Sequence, residues 1–178
     1  MKRFISVLVC ILILSCVAAC RSNERNAVQP VASESSFDAS ILTVKETDAR
    51  KIKGQVVYAP IYSNLPRERG KKFDISGFVT IHNTDLSHKI RITKVLYFNN
   101  DGKLVKDFTP QGLALEPLGA TNFYIPQSDQ SGTGANFLVE WVSDTPVCEP
   151  LIESIMINLG LHETFAFQSR GRAIREQR

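Results

Sequence analysis

Cysteine able to form a disulfide is almost absent from this chain. Four cysteines occur in 178 residues, and Cys10 and Cys16 lie in an N-terminal apolar run ahead of a processing signal. A mature product keeps only Cys20 and Cys148, and if Cys20 is acylated no intrachain disulfide is expected. The fold must then rest on its core, which a chain of this size can supply. Histidine is equally sparse. His82, His88 and His162 are scattered, none with a second ligand at helical spacing, which argues against a metal site. An excess of either charge is missing too. The formal net charge is +3; Lys2 and Arg3 leave with the signal, so 19 basic residues face 18 acidic ones in the mature chain. That balance provides no field for nucleic acid. The one long apolar run falls short of the roughly 20 residues a spanning helix needs. No amphipathic helical period is evident, and no cofactor motif occurs.

What is present begins with an address. Lys2 and Arg3 are followed by the apolar stretch from Phe4 to Leu14 and then by small residues, the three-part pattern of a secretory signal. The segment Val17-Ala18-Ala19-Cys20 resembles a bacterial lipobox, in which a lipid is attached to the cysteine and the chain is cut before it. The usual leucine three residues before the cysteine is Val17 here. Residues 1–19 therefore read as a lipoprotein signal peptide and Cys20 as the lipidation site. A plain cleaved signal is the alternative. Each buried acyl methylene contributes about 0.8 kcal/mol, and two or three chains hold where one does not. The expected partner is the membrane, reached through acyl chains on Cys20, and the expected location is the bacterial cell envelope, with the domain facing the periplasm or the cell exterior.

Residues 20–54 read as the lipidated cysteine and a flexible tether. Ser, Asn, Glu and Ala dominate, and apolar residues show no sustained period. From residue 55 to 174 the pattern is β. Phe73, Ile75, Val79 and Ile81 alternate with Asp74, Ser76, Thr80 and His82, which is period two. Ile90, Ile92, Leu96 and Phe98 form the next inward set, interrupted by Lys94. Asn99-Asn100-Asp101-Gly102 marks a hairpin. Phe137, Val139 and Trp141 alternate with Leu138 and Val142, so both faces are apolar and a central strand is expected. Ile155, Ile157 and Phe167 complete the predicted core. Pro60 suggests an edge position. Leu151 to Leu159 and Thr164 to Ala173 read as two strands, and residues 175–178 as a basic tail. The fold class is all-β: an immunoglobulin-like β-sandwich of seven to nine short strands.

Several short motifs are spread through this region: Tyr58-x-Pro60-x-Tyr62-Ser63, Asn83-Thr84-Asp85, Asp101-Gly102, Gly132-x-Gly134-Ala135-Asn136-Phe137, Trp141 and Ser169-Arg170-Gly171-Arg172. As a set they resemble a bacterial lipoprotein family known only as a domain of unknown function, over about Tyr58 to Ile174. The resemblance implies an envelope location and a compact domain. It supplies no catalytic residue.

Catalytic candidates are thin. Ser131-Gly132-Thr133-Gly134 lacks the Gly-Lys-Ser/Thr ending and helix of a phosphate loop. No serine sits in a nucleophile turn. Glu140, Glu149 and Glu153 suit solvent-facing strand positions better than a glycosidase pair. Cys148 reads as an inert thiol, with no basic neighbour. The expected function is a membrane-anchored binding or assembly module, not an enzyme; an envelope hydrolase with an unrecognised site is the alternative. Its partner would be an envelope protein or an anionic envelope component. Because function favours loops on a rigid scaffold, the candidate patch joins Asp129, Ser131, Gly132, Thr133, Gly134 and Asn136 to Arg170 and Arg172, whose guanidinium forks suit anions. The competing role for the two arginines is pairing with Glu140 or Glu153 across neighbouring strands.

Overall fold

A computed structural model describes residues 51–160 and 163–178. The signal at 1–19, Cys20, the tether up to residue 50 and His162 lie outside the described residues. The described chain falls within one compact unit, Ser36–Arg178.

Twelve strands run along it. The first four are β1 (Lys51–Pro60), β2 (Asn64–Pro66), β3 (Lys72–Asp74) and β4 (Ser76–His82). They are followed by β5 (Ile90–Phe98), β6 (Leu104–Asp107), β7 (Leu113–Leu115) and β8 (Ala120–Ile125). The last four are β9 (Asn136–Cys148), β10 (Leu151–Leu159), β11 (Thr164–Arg170) and β12 (Arg172–Gln177). The sequence pattern predicts seven to nine strands. The surplus is β2, whose three residues are too short to show alternation in the sequence, and two strands divided in two: β3 is split from β4, and β12 from β11.

One sheet has the order β12-β1-β9-β5-β6, with β7 also on β5, and the other has the order β11-β10-β4-β8. A small β2-β3 ribbon stands apart from both. Inward residues of the two large sheets form one core: Ile52, Val57, Ala59, Ile92, Val95, Tyr97, Phe137, Val139 and Trp141 meet Ile75, Val79, Ile81, Ile152 and Met156. This is the all-β sandwich. β9 is central, as its two apolar faces predicted, and it is the longest strand at 13 residues.

Six local readings are corrected. β1 begins at Lys51, because buried Ile52 pairs opposite Val147; residues 51–54 are therefore strand and not tether. Pro60 is not on an edge strand, since β1 lies between β12 and β9. It escapes the ladder differently: β12 pairs with β1 only from Gly54 to Tyr58, so Pro60 stands beyond its partner's end.

The third correction concerns β5. Its register against β9 shifts between Ile92 and Lys94, leaving Thr93 as an extra residue. A β-bulge of this kind reverses the phase of the strand beyond it. Val95 and Tyr97 are buried as a result, and Leu96 and Phe98 turn to the outer face. The fourth lies in β10, where Ile152, Ser154, Met156 and Asn158 face inward and Ile155 and Ile157 face out. Two polar residues are tolerated inside because each is bonded: Ser154 Oγ donates to the Pro60 carbonyl and Asn158 Nδ2 to the Glu163 carbonyl at 3.0 Å. Phe73 and Phe167 are partly buried, packed against the core as expected.

Finally, the single strand expected over 164–173 is two. The chain changes sheets at Gly171, whose N–H donates to the Ile152 carbonyl at 2.8 Å. A Cβ there would lie 2.6 Å from Val57 Cγ1 and 3.0 Å from Ile152 O, so only glycine fits the crossing. The supposed basic tail is likewise strand, because Arg175, Glu176 and Gln177 pair with Val56, Gln55 and Gly54.

Candidate functional site

The glycine loop joins β8 to β9, and its polar groups turn inward on the protein. Ser131 N–H donates to Asp129 Oδ1 at 2.9 Å, and Gly132 N–H to Ser63 Oγ at 2.9 Å. Gly134 N–H donates to Asn100 Oδ1 at 2.9 Å, and Thr133 Oγ1 to Asn64 Oδ1 at 3.0 Å. Asn100 N–H in turn reaches the Ser131 carbonyl at 2.8 Å. The glycines are required because Asn100 lies against both: a Cβ on Gly132 or Gly134 would fall 2.9 Å or 2.5 Å from its side chain. The amides that looked available to an anion are engaged. Asp129 also accepts from Tyr97 Oη at 2.8 Å. Burial raises the pKa of that phenol, Ser131 works against the rise, and the Asp129 carboxylate adds to it.

The other end of the sandwich is closed by Asn83-Thr84-Asp85. Asn83 Nδ2 donates to the carbonyls of His88, Leu115 and Glu116 at 2.9, 3.2 and 3.0 Å. Asp85 is buried, and its carboxylate accepts from the N–H groups of Ser87, His88 and Cys148 at 2.9, 2.9 and 3.0 Å. His88 Nδ1 lies 3.1 Å away. Burial alone would raise the Asp85 pKa, but the donors from Cys148, Ser87 and His88 outweigh it and hold the group at about 2. Asn83 and Asp85 are legible in the sequence only as turn residues. Their long-range bonds leave no mark in local sequence.

The structure separates the two arginines of the proposed patch. Arg170 stands opposite Glu153 on the outer face of the four-stranded sheet. Arg172 stands opposite Tyr58 on the outer face of the six-stranded sheet. Asn136 shares that second face, opposite Pro60, one row and two strands from Arg172, or about 12 Å by strand spacing. Arg170 and Arg172 therefore lie on opposite outer faces and do not form one patch with each other.

What does converge are side chains on the outer faces. On the four-stranded sheet, Gln168, Ile155, Phe78 and Tyr124 form one cross-strand row, with Ala166 and Ile157 beside it. Tyr124 is 57% exposed. On the six-stranded sheet, Tyr58, Leu138 and Leu96 form one row, and Phe98 and Leu104 belong to the next. Arg91, Lys94, Arg172 and Arg175 share this face with Glu140 and Asp107.

The description "Protein of unknown function (DUF3124)" matches residues 54–174, a span holding both closed ends and both faces. The chain belongs to the DUF3124 family. The matched region ends within β12, so the crossing at Gly171 is part of the DUF3124 domain. No curated protein matches this chain. A solved chain described as Thermotoga maritima 1070 is similar at 12% identity and a TM-score of 0.42, covering 70% of this chain and 97% of that one.

Proposed function

We propose that this DUF3124 protein is an envelope lipoprotein, anchored through acyl chains on Cys20, whose sandwich is a binding module. Its contact surface is the outer face of the four-stranded sheet, and its occupant is the apolar surface of another envelope protein. The observation that carries this reading is the row Ile155–Phe78–Tyr124, apolar side chains placed side by side across three strands. Such a patch is more than scattered exposed residues, and contiguous apolar surface marks interaction sites. Glu153 and Arg170, one charge of each sign on this face, stand opposite each other in the ladder and leave it without net charge. A neutral, apolar face suits a protein rather than a free anion.

A photo-crosslinking side chain at position 124, in the protein expressed in its own membranes, tests this. One discrete adduct is expected, abolished by Phe78→Ser, with none from position 101 at the hairpin tip. No adduct at 124, or the same adduct from both positions, refutes the face. Anchoring is tested separately: Cys20→Ser should end incorporation of labelled fatty acid.

The hydrolase reading finds one supporting observation, the Asp85–His88 pair. It resembles a base and its orienting carboxylate. Three backbone amides share that carboxylate, however, so its geometry is that of a turn lock.

A further inference from the structure

The outer face of the six-stranded sheet differs in kind from that of the four-stranded sheet. Its centre is apolar, with Tyr58 37% and Leu104 48% exposed and Leu96, Phe98 and Leu138 half-buried. Four basic side chains surround two acidic ones. Lys94 pairs with Asp107 at 3.4 Å, and Glu140 accepts from Thr93 Oγ1 at 2.6 Å. Among the described residues, the ion pairs leave Arg91, Arg172 and Arg175 without a carboxylate. Arg172 and Arg175 line one margin on β12, and Arg91 lies across on β5.

We propose that this face docks on an anionic bilayer surface, so that the opposite face of the sandwich points away from the membrane. The inference rests on the anchored-module reading in one respect: the membrane is then always near. β1 starts 31 positions after Cys20, and that length of chain spans at most about 110 Å. A tether converts weak docking into an intramolecular event at high effective concentration. The chemistry of the face suits a bilayer. Tyrosine sits well at headgroup depth with its ring in the apolar boundary and its hydroxyl in water. Each arginine near an anionic surface gains about five-fold in affinity, an effect that salt screens. The two sheets pack back to back through the core, so a bilayer under one outer face leaves the row Ile155–Phe78–Tyr124 fully accessible to a partner.

Tyr58 and Tyr124 provide an internal comparison, one on each face. The full acylated chain is reconstituted into vesicles of phosphatidylethanolamine with phosphatidylglycerol, and into vesicles with phosphatidylcholine in place of the anionic lipid. Hydroxyl-radical oxidation of each tyrosine is read by mass spectrometry. The expected result is several-fold protection of Tyr58 on anionic vesicles, lost on neutral ones and at high salt, with Tyr124 unchanged throughout. The double variant Arg172→Gln/Arg175→Gln should lose the protection while keeping its melting temperature. Should that variant prove unstable, the salt and lipid arms still decide the matter. Equal reactivity of Tyr58 on both vesicles overturns the inference and leaves the module reading standing. Protection of Tyr124 instead would overturn both. A chain that floats with neither vesicle overturns the anchor and the docking together.

Discussion

Both outer faces of this sandwich are apolar at their centres, yet their charges are arranged differently. On the four-stranded sheet Arg170 and Glu153 stand opposite each other. On the six-stranded sheet the basic residues outnumber the acidic ones and lie toward the margins. The divergence comes from backbone events, not from composition. The bulge at Thr93 turns Lys94, Leu96 and Phe98 outward together. The crossing at Gly171 sends Arg170 to one sheet and Arg172 to the other, although they are two residues apart. Neutral and basic faces on one small domain are thus fixed at two positions, and each can be challenged.

Gly171→Val should have the largest effect, because it attacks the crossing itself. Its Cβ would overlap Val57 Cγ1 and the Ile152 carbonyl, and overpacking of this kind costs about 3 kcal/mol. Chemical denaturation should show that loss, with β12 released from β1 and its amides exchanging fast. A variant as stable as the parent would mean the chain crosses elsewhere, and the two arginines would no longer mark opposite faces.

Asp85 comes next, since it holds the sheets to one another. It sits just after β4 of one sheet and binds the amide of Cys148 at the end of β9 in the other. Asp85→Ala leaves three backbone donors without their acceptor and should cost about 2 to 3 kcal/mol. The pH dependence has a definite sign. Its folded pKa of about 2 lies below the ordinary 3.8, so the folded state stays charged where the unfolded chain takes up a proton. The contribution is fully present above about pH 4 and is lost as pH falls toward 2. Asp85→Asn should therefore flatten the acid limb of the stability curve. If the variant and the parent lose stability in parallel between pH 4 and 2, the carboxylate is not the link.

The third test sharpens the comparison. With Thr93 in place, Ile92 faces in and Lys94 out, and the extra residue lies between them. Deleting Thr93 joins two residues that already alternate correctly, so Val95 and Tyr97 should stay buried. Only the bonds of Thr93 Oγ1 to Glu140 are lost, which amounts to about 1 kcal/mol. The unbulged reading of the sequence makes the opposite prediction, that deletion turns Leu96 and Phe98 over and unfolds the sheet. Melting curves separate the two outcomes.

That contrast shows where the sequence is legible. Alternation places β4 and β9 correctly: Val79 and Ile81 in one, and Phe137, Val139 and Trp141 in the other, are buried as their period predicts. It fails in β10, where Ile152 and Met156 on one parity balance Ile155 and Ile157 on the other. The deciding factor there is the acceptors of Ser154 and Asn158, and the Pro60 carbonyl is 94 residues from Ser154. The bulge at Thr93 leaves one local sign, the charged Lys94 at a position that an unbulged strand would turn inward. The glycine loop misleads for the same reason as β10. Its small residues suggest exposed amides, whereas their acceptors, Ser63 and Asn100, come from distant turns.

The smallest expected effect discriminates most finely between the faces. Arg170→Gln removes a side chain directly opposite Glu153, and a cross-strand charge pair contributes roughly 0.2 to 1 kcal/mol. Arg172→Gln removes one opposite Tyr58, with no carboxylate partner among the described residues, and should change stability by less than about 0.5 kcal/mol. Arg170 should thus be the more sensitive position in solution, with its loss reduced at high salt because Arg170 is exposed and Glu153 only half-buried. Adding Glu153→Gln to each variant separates the causes. The double change at 153 and 170 should cost less than the sum of its parts, whereas 153 and 172 should add. Coupling between 153 and 172 would mean that the two outer faces communicate through the edge at Gly171. The separation of a neutral face from a basic one would then have to be abandoned.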